Sequence, residues 1–396
     1  MIKNTIHELT SSSIARWTLV SDLHTGFEHH PTVDQKMEKE REYESLLQRV
    51  PVSRNGYETL SLGQRARVRA RVRTLIGKSL SNSTNGVGDR FFEDCERVAE
   101  LFVQKAREFD ACLPESDIHQ ALRNVWVFNS IQQYMGLQVG FTHPSFAYSL
   151  LYPYTDNWLD SDEPSRQDKQ DFVRWLALRV EGGESGTEEV QKVQISNLIG
   201  MIEEGYPRKK FPEVYQSLLA ILNAQRQSLR LQRTLPEDDE AALLPLSVAK
   251  GGTSVLADGI LVQGELEPSH VEALFEYGVL LQLIDDLQDV DEDIRSGHWT
   301  PFAHALKRGY LDAITNRLFN YTRAVLTMMG KHAADQGREL CQIIERSCIG
   351  LVIEAVARHQ LHYTAAYLEK VESVSPVRLS YLGSLRVRLE RSYSGS

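Results

Sequence analysis

Cysteine is scarce, with four residues in 396, at positions 95, 112, 341 and 348. They are scattered and form no zinc-like spacing, so the expectation is reduced thiols in a cytoplasmic protein. Long apolar runs are lacking too. No stretch approaches the roughly 18 apolar residues of a membrane span. The beginning, Met1-Ile2-Lys3-Asn4-Thr5, runs quickly into polar residues and has no signal-peptide core. Positive charge is in deficit, 44 Lys and Arg against 54 Asp and Glu, a net charge of -10. That balance argues against a chain built as a whole to bind nucleic acid. Alternating β-branched stretches bounded by hairpin turns are missing, as is any Gly-rich phosphate loop after a strand.

What is present is helical periodicity in an ordinary globular composition, 42% hydrophobic and 25% charged. The length suffices for one large helical domain or two average ones. The pattern predicts a helix over 33–50, closed by Pro51, and further helices over 89–110, 116–138 and 144–160. Pro144 after Thr142-His143 is a sound N-terminal signal. A break at 161–164 precedes predicted helices over 166–180, 187–204, 212–234 and 239–262. Pro268 starts the next, running to Ser296-Gly297, and three more fit 301–330, 333–370 and 376–393. The expected organisation is an N-terminal helical extension over 1–85 and one all-α domain over 86–396.

The segment Leu280 to Asp293 is the densest in chemistry. On one helix, Asp285, Asp289 and Asp293 fall a turn apart on one face, with Asp286 beside them. Like charges at that spacing repel unless a cation faces them. Oxygen ligands so spaced suit a hard cation, above all Mg2+ shared with a substrate's phosphates.

A second cluster lies upstream. Asp156 and Asp160 are four apart at the end of an apolar helix, with Asn157 beside them. Alone, such a pair reads equally as a polar helix end turned to solvent. Two clusters, each at the end of an apolar helix, are harder to dismiss, because carboxylates there oppose the helix dipole. Together they suggest facing helices that hold Mg2+ around a diphosphate, making it a better leaving group. An allylic cation formed this way needs dry apolar and aromatic walls. Phe128, Tyr148 and Tyr152 are the candidates for that pocket, although an aromatic stripe at helical spacing also serves as plain core.

Gln282-Leu283-Ile284-Asp285-Asp286-Leu287-Gln288-Asp289 resembles the second aspartate-rich motif, QxxDDxxD, of trans-prenyl diphosphate synthases, members of the class I isoprenoid (terpenoid) synthase superfamily. Asp156-Asn157-Trp158-Leu159-Asp160 resembles the first, DDxxD, with Asn in place of the second Asp. The resemblance implies an all-α helical bundle around a central apolar cavity and three Mg2+ ions. It implies metal ligation by Asp156, Asp160, Asp285, Asp286 and Asp289, with Asp156 and Asp285 the catalytic pair. Diphosphate would be bound by Asn157, Lys250 and Gln282. Lys250 stands near where such synthases carry a Lys-Thr pair, but Gly251 and Gly252 separate it from Thr253. Those glycines offer either backbone access to substrate or a packing kink beside a solvent-facing lysine. Arg391 and Tyr393 resemble the Arg-Tyr diphosphate sensor of terpene cyclases, though arginines in a terminal helix also form solvated faces. The run Arg65 to Arg73, at a spacing of two, reads better as a solvated or partner-facing helix.

The implied activity is a terpene cyclase acting on a linear prenyl diphosphate, with a homodimer as an admissible assembly. A chain-elongating prenyltransferase is the alternative. Two departures tilt away from it: the Asn at 157, and the lack of a Gly-Gly-Lys-x-x-Arg-Pro-like segment near the start. A head-to-head squalene- or phytoene-type synthase also accommodates the looser DxxxD spacing. A helical binding protein of the same fold without turnover is the reading from another class.

Overall fold

A computed structural model describes residues 2–22, 30–48, 87–161, 164–183, 186, 189–231 and 240–385. Among these residues the chain is α-helical throughout, with no strand. The helices are α1 (Ile2–Leu19), α2 (Val33–Gln48), α3 (Val87–Phe109), α4 (Glu115–Tyr134), α5 (His143–Asp160), α6 (Arg166–Val180), α7 (Val190–Gly205) and α8 (Pro212–Leu231). They continue as α9 (Glu240–Gln263), α10 (Pro268–Gln288), α11 (Val290–Ser296), α12 (Pro301–Arg308), α13 (Asp312–His332), α14 (Asp335–Arg358) and α15 (Ala365–Val374).

The all-α expectation holds, and several helix starts have local causes. At α5, Thr142 accepts from the Ser145 N–H in a capping box, with Pro144 just inside. At α6, Ser165 and Asp168 form the same reciprocal cap. Thr300 caps α12 ahead of Pro301. The predicted helix over 301–330 is two helices, because Gly309 at φ 155 ends the first. The predicted 333–370 helix ends at Arg358, with a 3-10 turn at Gln360–His362 before α15.

The core helices are α9 and α10, which pack against each other most extensively; α8, α1, α4 and α5 also contact α9, and α13 and α14 contact α10. Helix α10 buries Ala273 to Leu280 without interruption, because it is enclosed on all sides. Gly251 of α9 and Gly278 of α10 set the crossing. A Cβ on Gly251 would sit 2.4 Å from the Gly278 carbonyl oxygen, and one on Gly278 would sit 2.1 Å from that of Gly251. Gly252 lies against the Phe275 ring. The glycine pair is therefore a packing device and not an opening to substrate, and α9 runs through it unbroken.

Helix α1, which the sequence pattern did not single out, is tied into this core. Buried Glu276 of α10 accepts from Ser13 (3.0 Å), Arg16 (2.9 Å) and the Tyr321 hydroxyl. Trp17 meets the Tyr321 ring edge-on at 5.4 Å. Helix α2 is fastened to the C-terminal part by Lys36–Glu372 and by Glu40 accepting a fork from Arg378. The expected domain boundary at 85/86 falls outside the described residues, as does the arginine run 65–73.

Candidate active site: an acidic cleft over a narrow apolar pocket

Asp156 of the upstream cluster and the carboxylates of the downstream cluster line one cleft of about 450 Å³. Asp156 and Leu159 enter from α5, Gln225 from α8, and Ser247 and Lys250 from α9. Gln282, Asp285, Asp286 and Asp289 line the opposite wall, continued by Glu292, Asp293 and Ser296 of α11 and by His298, Trp299 and Thr300. Asp285, Asp289 and Asp293 thus share a face as their spacing predicts.

The helix carrying them differs from expectation in one respect. Helix α10 ends at Gln288, and Asp289 (φ -101°, ψ 12°) caps both it and α11. The chain still bridges the bend, since Asp289 N bonds Asp285 O and Asp293 N bonds Asp289 O. Asp291, Glu292 and Asp293 consequently occupy the first turn of a new helix, where carboxylates suit the dipole. The electrostatic burden expected for a helix end falls on Asp285, Asp286 and Asp289 alone. Gly297 in the left-handed region (φ 72°) closes α11.

Within the cleft the carboxylates are unequal. Asp285 is exposed, while Asp286 is buried and takes a hydrogen bond from the Ser247 hydroxyl and one from the Gln282 amide, each at 2.7 Å. Burial pushes the Asp286 carboxyl up to about 6, against the two donors and the nearby Lys250 charge. Asp293 is pushed further, to about 8, by burial and by the fields of Asp286, Asp289 and Asp285, with Thr300 donating in opposition. On the facing wall the Asp156 carboxylate accepts from the Gln225 amide at 3.1 Å and the Thr155 hydroxyl at 3.2 Å. The cleft therefore gathers oxygen donors whose crowding leaves positive charge in demand.

The remaining predicted positions sort by geometry. Lys250 is exposed at the cleft wall, within an unbroken helix and not beside a break. Asn157 is exposed and is not among the cleft-lining residues. Asp160 closes α5, and its side chain lies outside the described residues, as do Arg391 and Tyr393. Tyr148 and Tyr152 line an apolar pocket with Leu151, Leu176, Leu218 and Leu222; Gln225 borders both this pocket and the cleft. The central apolar cavity is narrow here, about 40 Å³. Phe128 is buried core, meeting the Tyr148 ring at 6.1 Å, and does not line that pocket.

Sequence reasoning missed Gln225, Ser247 and the buried Asp258. Ser247 has a legible signal, lying one turn before Lys250 on α9. Gln225 has none, because only the fold brings α8 beside Asp156. Asp258 is a lone carboxyl inside an apolar helix, bonded by Asn124 at 3.1 Å with its second oxygen unpartnered. Burial drives its carboxyl well upward. Beside it, the Tyr152 hydroxyl bonds Ser254 at 2.6 Å and Tyr148 at 3.2 Å.

A separate apolar cavity of about 710 Å³ lies between α3, α4, α10 and α14, with Phe91, Trp126, Tyr277, Leu281 and Ile344 among its walls. Helix α10 presents Tyr277, Leu281 and Gln288 to it, and Gln282, Asp285 and Asp286 to the cleft.

No protein-family model and no curated protein matches the chain. Among solved structures, the geranylgeranyl pyrophosphate synthetase from Pyrococcus horikoshii Ot3 is similar at 14% identity and a TM-score of 0.35, over 81% of this chain and 98% of that one.

Proposed function

We propose that the chain is a Mg2+-dependent terpene synthase that ionises a linear prenyl diphosphate, releases pyrophosphate and forms a terpene hydrocarbon or alcohol. The observation that carries this is that Asp156 shares one cleft with Asp285, Asp286, Asp289 and Asp293, carboxylates remote from it in sequence. Their donor set fits a hard cation: every carboxylate offers oxygen, and burial and mutual repulsion already hold Asp286 and Asp293 upward. Asp156 and Asp160 would hold metal on one wall, and Asp285, Asp286 and Asp289 on the other. Bound there, Mg2+ supplies Lewis acidity that makes diphosphate a better leaving group.

The chain's own residues do the positioning. Ser247 and Gln282 fix Asp286, and Gln225 and Thr155 fix Asp156. Lys250 offers a point charge to diphosphate oxygens, and Arg391 and Tyr393 are the further candidates for that role, whereas Asn157 lies outside the cleft lining. Below, Tyr148 and Tyr152 give aromatic faces that attract a cation while apolar neighbours exclude water. Ligand pockets usually measure about 300–1,000 Å³. At about 40 Å³ the pocket must widen before a prenyl chain enters it.

Chain elongation is the second reading, and Asn157 and the missing second-substrate segment weigh against it. Incubation with prenyl diphosphates of increasing length and Mg2+, with and without isopentenyl diphosphate, separates the two. Cyclic products without the second substrate support the proposal. A longer diphosphate formed solely in its presence would replace cyclisation with elongation, and no diphosphate release in either arm would sink both.

A further inference from the structure

We propose that Asp291, His359 and His362 form a second metal site, distinct from the acidic cleft, that takes a divalent transition ion of the zinc type. One ligand atom from each of the three lies within 4.8 Å of the others. His359 Nδ1 is 2.9 Å from one Asp291 oxygen, and His362 Nε2 is 2.6 Å from the other. The two imidazole rings lie nearly parallel, 15° apart with centroids at 5.7 Å, so one carboxylate serves both. Two imidazoles and a carboxylate suit zinc, nickel or ferrous iron, whereas magnesium prefers oxygen alone.

Three further features point the same way. His359 is buried, and its Nε2 lies 3.0 Å from the Gln288 carbonyl oxygen. Donation to a backbone carbonyl orients the ring and leaves Nδ1 as the ligand, the usual support for a metal-bound histidine. Helices α10 and α14 both end here, at Gln288 and Arg358, and their carbonyl termini favour a cation. Arg358 already answers part of that field by donating to the Gln288 oxygen at 3.0 Å. Finally, Asp291 is half-exposed, so coordination positions stay open to water. An ion at this point would pin α11 to the end of α14. Glu292 and Asp293, which follow Asp291 directly, line the cleft. The site stands whether or not the cleft takes a diphosphate.

Equilibrium dialysis of the full chain against Zn2+ in excess Mg2+, with bound zinc measured directly, tests the site. One Zn2+ per chain is expected in the wild type and in Asp285→Ala. His362→Ala should weaken zinc binding at least about tenfold, since losing even an outer-shell partner costs that much. His362 lies partly exposed on a 3-10 turn, so its zinc-free thermal midpoint should stay near wild type. Asp291→Asn, which keeps the side chain's shape, should give the same loss. Equal binding by wild type and His362→Ala, or no zinc retained by the wild type, would overturn the site. Loss in Asp285→Ala with retention in His362→Ala would assign the ion to the cleft and overturn it as well.

Discussion

Asp286 and Asp285 are chain neighbours with different tasks. Asp286 is buried and braced by two donors, so removing either brace leaves a desolvated acceptor short of a partner, at about 1–3 kcal/mol. The Asp285 side chain is exposed at the cleft wall. Asp285→Ala should therefore keep the wild-type thermal midpoint while Mg2+-dependent diphosphate release falls about a hundredfold or more. Unchanged turnover in the folded variant would remove Asp285 from the site. Away from the cleft, Glu203 accepts from Arg179 at 2.6 and 3.0 Å and from Arg208 at 3.0 Å. Burial alone would raise its carboxyl, but those hydrogen bonds outweigh burial and hold it below the ordinary value of 4.5. A depressed folded value means stability that is present above 4.5 and lost as pH falls through the folded value. Glu203→Gln should cost about 1 kcal/mol at pH 7, and the gap to wild type should close in acid. A gap that widens in acid on thermal melts would contradict this sign.

At the scale of elements, the α9–α10 crossing decides whether the cleft exists. Helix α9 carries Ser247 and Lys250, and α10 carries the carboxylates they face. The two backbones approach so closely at Gly251 and Gly278 that any side chain meets main chain, which cannot rotate away. Gly251→Ala should destabilise at or above the upper end of the usual overpacking cost, about 1–3 kcal/mol, by urea denaturation. Catalysis should fall with it, because separating the helices moves Ser247 off Asp286. A stable Gly251→Ala variant with normal activity would mean that the crossing does not set the site. The same scale shows why the long acidic helix divides at Asp289. Three carboxylates following in the next turn gain from a fresh N-terminus. The periodicity of the sequence carries the face across the bend and does not reveal the bend itself.

For the whole molecule, the contrast is between an enzyme and a scaffold of the same fold. Ligand at about 100 times its Kd stabilises the native state by about 2.7 kcal/mol, several degrees for a chain of this size. Mg2+ with pyrophosphate should raise the thermal midpoint of the wild type by that order and should not raise that of Asp285→Ala. No shift in the wild type would favour the scaffold. The sequence by itself determined the helical class, the common face of Asp285, Asp289 and Asp293, and the helix start at Thr142 to Pro144. These depend on local periodicity and on side chains reaching their own backbone. Tertiary structure alone decided that Asp156 faces them across one cleft, that Gln225 and Ser247 brace the carboxylates, and that Gly251 meets Gly278. It also decided that His359 and His362 close on Asp291. Those contacts join helices far apart in the chain, and no local pattern encodes which helix will lie beside which.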